Sequence, residues 1–220
     1  MPATNTDTTH ILLIRHGETA WNAERRLQGH IDIALNDEGV RQAAALARAL
    51  AGAPLNAIYA SDLKRAHQTA AAVASLHGMP VVMDAGLRER CYGGFEGLLY
   101  AEIAERFPRE FAAWQARDID GVMPRGTRVA ETFRRFYQRC VDTITDIGER
   151  HPGQTIALVA HGGVLECAYR AALGLALDTP RDFPVLNASI NRFTMDAGRL
   201  ALASWGEVDH LRAGVLDELA

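Results

Sequence analysis

An apolar run, Ile11-Leu12-Leu13-Ile14, stops at Arg15-His16-Gly17, so a guanidinium and an imidazole are delivered where a buried strand would end. Arginine presents a planar fork of donors suited to phosphate or carboxylate, and histidine can serve as nucleophile, base or ligand. The glycine beside them lets backbone N–H groups approach an anion closely. A second triplet, His161-Gly162-Gly163, follows the apolar stretch Thr155 to Ala160 in the same way. Arg65 and Glu89 come after two further short strand-like segments, Asn56 to Ala60 and Val81 to Met83. These residues together fit phosphoryl transfer, which needs an in-line nucleophile and positive donors around the equatorial oxygens. In that reading His16 attacks phosphorus through a neutral ring nitrogen while a backbone carbonyl or similar acceptor holds the other. Arg15, Arg65 and His161 clamp the phosphoryl group. Glu89 protonates the leaving alkoxide and then, ionised, activates the water that clears the phosphohistidine. Each residue alone also has an ordinary reading: a boundary histidine, an arginine balancing its helix, a solvated glutamate between Arg88 and Arg90. The matched strand-His-Gly contexts set the phosphoryl reading ahead.

For these groups to meet, their strands must lie side by side in one sheet. Val40, Ala43, Ala47 and Leu50 recur at helical spacing after Asn36-Asp37-Glu38-Gly39 and stop at Gly52 and Pro54. Ser61-Asp62 reads as the cap of a helix with the stripe Leu63, Ala66, Ala70 and Val73, ending at Gly78 and Pro80. Val129, Phe133, Phe136, Cys140, Ile144 and Ile147 mark the clearest helix, and another runs from His161-Gly162-Gly163 to about Leu173. Ser189 to Met195 and Leu200 to Trp205 flank Asp196-Ala197-Gly198 as a closing hairpin. Alternating strands and helices predict an α/β three-layer sandwich, with a mainly parallel central sheet and helices on both faces. Right-handed crossovers then align the parallel strands' C-termini along one edge, where open α/β sheets bind ligands. Residues 96 to 126, broken by Pro108, Gly121 and Pro124 but carrying Ile103, Phe107, Phe111 and Trp114, read as a small helical cap insertion. One domain over residues 1–220 with a disordered tail at 1–9 is expected.

With 48% hydrophobic and 23% charged residues over 220 positions, the chain has room for one sizeable core. A net charge of −4 gives no electrostatic footprint for nucleic acid or an anionic membrane surface, so a small phosphorylated substrate must be met by local arginines. Cys91, Cys140 and Cys167 lack metal-ligand spacing and an even count, which points to a reducing compartment with no zinc site. The polar stretch Met1 to Thr9 precedes an apolar run too short for a signal or a span, so a cytoplasmic location is expected. His10, His30, His67, His77, His151 and His210 read as structural. Arg106, Arg109, Arg117, Arg125 and Arg128 either hold a second anionic group of a substrate or form a solvated face.

Four segments in order, Arg15-His16-Gly17-Glu18-Thr19 with Asn22, Ser61 to Ala70, Leu87 to Gly97, and His161-Gly162-Gly163, resemble the signature of the histidine phosphatase superfamily, the phosphoglycerate mutase-like proteins. The resemblance implies an α/β sandwich and a phosphohistidine mechanism that needs no metal or cofactor. By motif position it implies His16 as nucleophile, Arg15, Asn22, Arg65 and His161 at the phosphate, and Glu89 as proton donor. Gln28 and Gly29 match a loop beside the phosphate, Tyr92 a substrate-side aromatic, and Gly162 the glycine after the second histidine at the substrate. Such proteins are often dimers, which leaves a homodimer open. Pro124-Arg125-Gly126-Thr127-Arg128 departs from the family pattern, although Thr127 retains the chemistry to cap the long helix. The mutases' paired-arginine segment has no counterpart here. The expected activity is therefore a metal-independent phosphomonoesterase, with a bisphosphoglycerate-primed phosphoglycerate mutase as the alternative. An inactive phosphate-binding module is the minor one, set back because neither histidine nor the acid is missing.

Overall fold

A computed structural model describes residues 7–211, so the part of the expected tail at 1–6 lies outside the described residues. Thr9 does not belong to a tail: it is buried and begins β1 (Thr9–Arg15), its hydroxyl donating to the Gly148 and His151 carbonyls. The other strands are β2 (Ala57–Ala60), β3 (Val81–Met83), β4 (Thr155–Ala160), β5 (Ile190–Asp196) and β6 (Arg199–Glu207). They form one sheet in the order β3-β2-β4-β1-β5-β6. β3, β2, β4 and β1 run parallel, and β5 and β6 add an antiparallel edge. The β5–β6 turn places Ala197 and Gly198 at positive φ, 47° and 72°, the geometry that matches the twist of a tight hairpin.

β1 and β4 are apolar throughout because both of their faces are covered. Ile11, Leu13, Ile156 and Leu158 join one core with Phe136, Cys140, Ile144, Ile147, Val164 and Cys167, which come from α6 (Phe133–Glu149) and α7 (Gly162–Leu173). Leu12, Ile14, Ala157 and Val159 join the opposite core with Leu46, Leu50, Ala66, Ala70 and Val73, from α2 (Asp37–Leu50) and α3 (Lys64–His77). The expected three layers result from this alternation. A short α1 (Ala20–Ala23) interrupts the loop after β1, and α4 (Tyr100–Arg106) and α5 (Pro108–Gln115) lie in the expected cap, where Leu27, Phe95, Ile103 and Met123 form a third, smaller core. No helix among the described residues is long and apolar enough to cross a membrane.

Four local expectations are corrected. Val40 and Val129 are 55% and 74% exposed, so neither belongs to a buried stripe, and Val129 precedes α6. The cap of α6 is Thr132, whose hydroxyl accepts from the Arg135 N–H, rather than Thr127. Ser61-Asp62 does not cap α3: the N-cap is Leu63, whose N–H donates to Ser61 Oγ, while Asp62 takes a bidentate pair with Arg88 at 2.7 and 2.5 Å. Asp62 is drawn from the cap because a guanidinium offers a stronger, charge-assisted partner than an N–H at the helix start.

Candidate active site

The parallel register sets Arg15 opposite Ala160, and Ala60 opposite both Val159 and Met83, so these strands finish within about one residue of each other. The residues after each strand end therefore land on one edge. His16 keeps the sheet pattern for one more bond, its N–H donating to Ala160 O at 3.0 Å, and its side chain is buried. Its Nδ1 lies 2.7 Å from Gly17 O. A carbonyl only accepts, so Nδ1 carries the proton and Nε2 keeps a free lone pair. Burial first, then the Arg65 and Arg15 guanidinium groups, hold the ring's proton affinity well below the ordinary histidine value of 6.5, while the Gly17 carbonyl opposes them. The imidazole is therefore neutral in the form a nucleophile requires.

His161 is the N-cap of α7, and its ring centroid lies 5.1 Å from that of His16 at 60°. It is fully buried, and both ring nitrogens lack a hydrogen-bond partner among the described residues. Burial, then Arg65 and the His16 ring, also drive its proton affinity well down. Two buried nitrogens without a partner are costly to leave so, and polar atoms of a bound group would relieve that cost.

The two guanidinium groups are aimed by carbonyls. Arg15 Nη1 donates to Val185 O at 2.5 Å, and Arg65 donates to Ile31 O at 3.0 Å and Gly29 O at 2.8 Å. Both are at most 1% exposed. Glu89 is buried with one oxygen accepting from the Arg90 N–H at 2.6 Å and the other from the Gly163 N–H at 3.0 Å. The second donor sits in the first turn of α7, where a carboxylate complements the helix dipole. Gly163 has no room for more: a Cβ there would lie 2.3 Å from Glu89 Oε1 and 2.8 Å from the Phe136 ring.

The anticipated role of Gly17 needs correcting. Its N–H donates to Thr69 Oγ1 at 3.0 Å, so the residue is glycine for another reason, a Cβ being only 2.6 Å from Gly39 O. Asn22 closes the capping box of α1, its Oδ1 accepting from the Thr19 N–H and hydroxyl at 3.0 Å each. Gln28 is buried, its Oε1 unpartnered among the described residues, and Gly29 at φ 52° offers its carbonyl to Arg65. Glu96 joins this loop to the segment at Tyr92, since its Oε1 accepts from both His30 N and Tyr92 N at 3.0 Å. The Tyr92 ring stands 5.7 Å from Trp114 and under the Arg90 guanidinium at 5.6 Å, and Gly162 opens α7.

Several contributors gave no usable signal in the sequence. His30, which reads there as structural, donates through Nε2 to the Glu89 carbonyl at 2.7 Å. Asn187 Nδ2 donates to the His16 carbonyl at 3.0 Å from a connection with no motif. Arg139 and Glu131 brace the segment around Glu89. Arg90 reaches a small cavity otherwise lined by cap residues, among them Glu110, Trp114 and Asp118. Of the cap arginines weighed for a second anionic group, Arg117 is committed to Glu166 on α7, whereas Arg128 reaches the His30 carbonyl at 3.5 Å.

Known proteins resemble this chain in family pattern, sequence and fold. The model of the histidine phosphatase superfamily, branch 1, matches residues 11–208. Phosphoglycerate mutase-like protein 4 of Arabidopsis thaliana is 38% identical over 208 residues, covering 93% of this chain and 88% of that protein. A metal-independent phosphoserine phosphatase of the same plant is 36% identical over 208 residues, covering 93% and 84%. Among solved structures, phosphoserine phosphatase of Entamoeba histolytica in complex with 3-phosphoglyceric acid superposes with a TM-score of 0.80 at 27% identity, covering 92% of this chain and 98% of that one.

Proposed function

The chain belongs to the histidine phosphatase superfamily, and on that basis we propose that it is a metal-independent phosphomonoesterase working through a phosphohistidine on His16. The observation that carries the reading is the pair of buried neutral imidazoles, one with its lone pair freed by Gly17 O and the other with both nitrogens unpartnered among the described residues, between two carbonyl-aimed arginines.

His16 Nε2 attacks phosphorus as the ester oxygen departs on the opposite side. Arg15, Arg65, Asn22, His161 and the start of α7 at Gly162 hold the phosphoryl oxygens. Glu89, protonated beside the incoming phosphate charge, gives its proton to the leaving alkoxide. The resulting carboxylate then takes a proton from water, whose oxygen attacks phosphorus, and phosphate and free His16 are regenerated. Gln28, Gly29 and Tyr92 border the leaving group. The whole chain acts as one catalytic domain, with 96–126 as its cap.

The names of the relatives and the 3-phosphoglyceric acid in the Entamoeba histolytica structure favour small phosphate esters of carboxylic or amino acids as first substrates. Cytoplasmic residence and a homodimer belong to the same reading, the former in keeping with three free, buried cysteines. The mutase alternative is supported by the name of the mutase-like plant relative. Screening phosphate release over phosphoserine, phosphoglycerates, sugar phosphates and nucleotides tests the phosphatase. Phosphorus NMR with 3-phosphoglycerate, with and without 2,3-bisphosphoglycerate, separates the two: rapid 2-phosphoglycerate without free phosphate would replace hydrolase by mutase.

A further inference from the structure

Glu89 lies on a segment without regular hydrogen bonding, yet a general acid must meet its leaving group within a fraction of an ångström. The segment is anchored elsewhere. Arg139, on α6, commits all five guanidinium N–H donors around it: Nη1 on Gly86 O and Arg88 O at 2.8 and 3.0 Å, Nη2 on Glu89 O and Glu131 Oε2 at 3.2 and 2.8 Å, and Nε on Glu131 Oε1 at 2.8 Å. Glu131 returns to the same segment, accepting from the Cys91 N–H at 2.9 Å, while its backbone pairs with Cys91 O and Arg90 Nε, each at 2.9 Å. A Cβ at Gly86 would lie 2.3 Å from Thr143 Oγ1, so the segment's start abuts α6 directly.

We infer that Arg139, with Glu131 as its counter-ion, is a positioning residue for the catalytic acid, fixing residues 86–91 on α6 so that the Glu89 carboxyl faces the leaving group. The inference rests on the assignment of Glu89 as proton donor. Arg139 donates to the carbonyls on both sides of the Glu89 Cα, of Arg88 and of Glu89 itself, and therefore sets the rotation of the backbone from which the carboxyl projects. A planar fork is what this requires. Lysine would supply three donors from one point and could not span three carbonyls and two carboxylate oxygens.

The test is kcat/KM for two esters, p-nitrophenyl phosphate and a simple alkyl phosphate, in wild type, Glu89→Gln, Arg139→Lys and Glu131→Gln. That ratio reports events up to the departure of the leaving group, and p-nitrophenolate departs without a proton. Glu89→Gln should lose about 10² to 10⁴ on the alkyl ester and far less on the aryl ester. Arg139→Lys should show the same preference at smaller scale, about 10 to 10² on the alkyl ester against about threefold on the aryl one. Glu131→Gln should change in the same direction, more weakly. Equal losses on both esters, or none, in Arg139→Lys would make the residue a scaffold brace and overturn the inference. Should Arg139→Lys fail to give a cooperative melt, the same criterion applied to Glu131→Gln decides it. Failure of Glu89→Gln itself to discriminate the esters would instead strike the acid assignment, which keeps the two failures apart.

Discussion

At the sheet edge, Arg15 and Arg65 donate to backbone carbonyls, Glu89 accepts from two backbone N–H groups, and His16 is held by the carbonyl of its neighbour. The cap is assembled otherwise: Trp114 on α5 meets Tyr92, Phe95, Tyr100 and Phe111 at ring centroid distances of 5.7 to 5.9 Å, and α5 has no buried residue. Hydrogen bonds to backbone fix direction as well as distance, whereas aromatic contacts tolerate sliding and tilting. The two regions therefore take different parts in recognition. In the proposed reaction the phosphoryl group would meet donors that are already aimed, and the rest of the substrate a surface that can adjust to it.

The most direct way to break that division is at the edge. His16→Ala should abolish the acid-labile, base-stable phosphoenzyme and cost on the order of 10⁴ or more in turnover, since loss of a nucleophile removes the reaction path itself. A normal burst of labelled phosphoenzyme in that variant would show that another residue is the nucleophile. Gly163→Ala comes next. The added methyl strikes both the Glu89 carboxylate and the Phe136 ring, so it should reduce turnover of alkyl phosphates about 10- to 10²-fold and cost about 1–3 kcal/mol by overpacking. Turnover within twofold of wild type would mean that the edge is softer than its hydrogen bonds suggest.

A cap substitution should read differently. Trp114→Ala removes the hub of the aromatic cluster and should raise KM for the best substrate about 3- to 10-fold, the worth of about one aromatic contact, while leaving the phosphoenzyme burst intact. A burst reduced as far as in the Gly163 variant would erase the distinction between the two regions.

The same division explains what the sequence disclosed. Strands buried on both faces must be apolar throughout, so β1 and β4 announce themselves, and the residues that end such runs stand out because charge is costly there. Arg15, His16 and His161 were legible for that reason, and Arg65 and Glu89 were legible from their place after the neighbouring strands. The partners that aim them were not. Val185 O and Gly29 O act through backbone, which no side-chain pattern encodes, and Asn187 reaches His16 across 171 positions of sequence. Arg139 sits on the most evident amphipathic helix, where an arginine ordinarily reads as a solvated charge. The cap's aromatic spacing revealed helices but not where its arginines are drawn, because Arg117 and Arg128 differ only in the tertiary partners they find.

The last effect concerns protons. His16 and His161 both bind a proton less readily when folded than the ordinary value of 6.5, chiefly because they are buried and next because Arg65 is near. As pH falls through about 6.5 the unfolded chain takes up protons at these positions and the folded chain does not, so stability must fall with pH. The slope is at most about 1.4 kcal/mol per pH unit for each ring, continuing until the lowered folded values are reached. Urea midpoints measured at pH 7.5, 6.5 and 5.5 should therefore decline below 6.5 in wild type and decline less in His161→Gln. Trp114→Ala should keep the wild-type slope from a lower starting stability, since the cap holds neither ring. Inorganic phosphate should reverse part of the acid loss, because an anion between the rings and the two arginines favours the protonated imidazoles that burial alone penalises. Equal slopes in wild type and His161→Gln would place the pH dependence in other groups and mean that burial does not hold the ring at position 161 neutral.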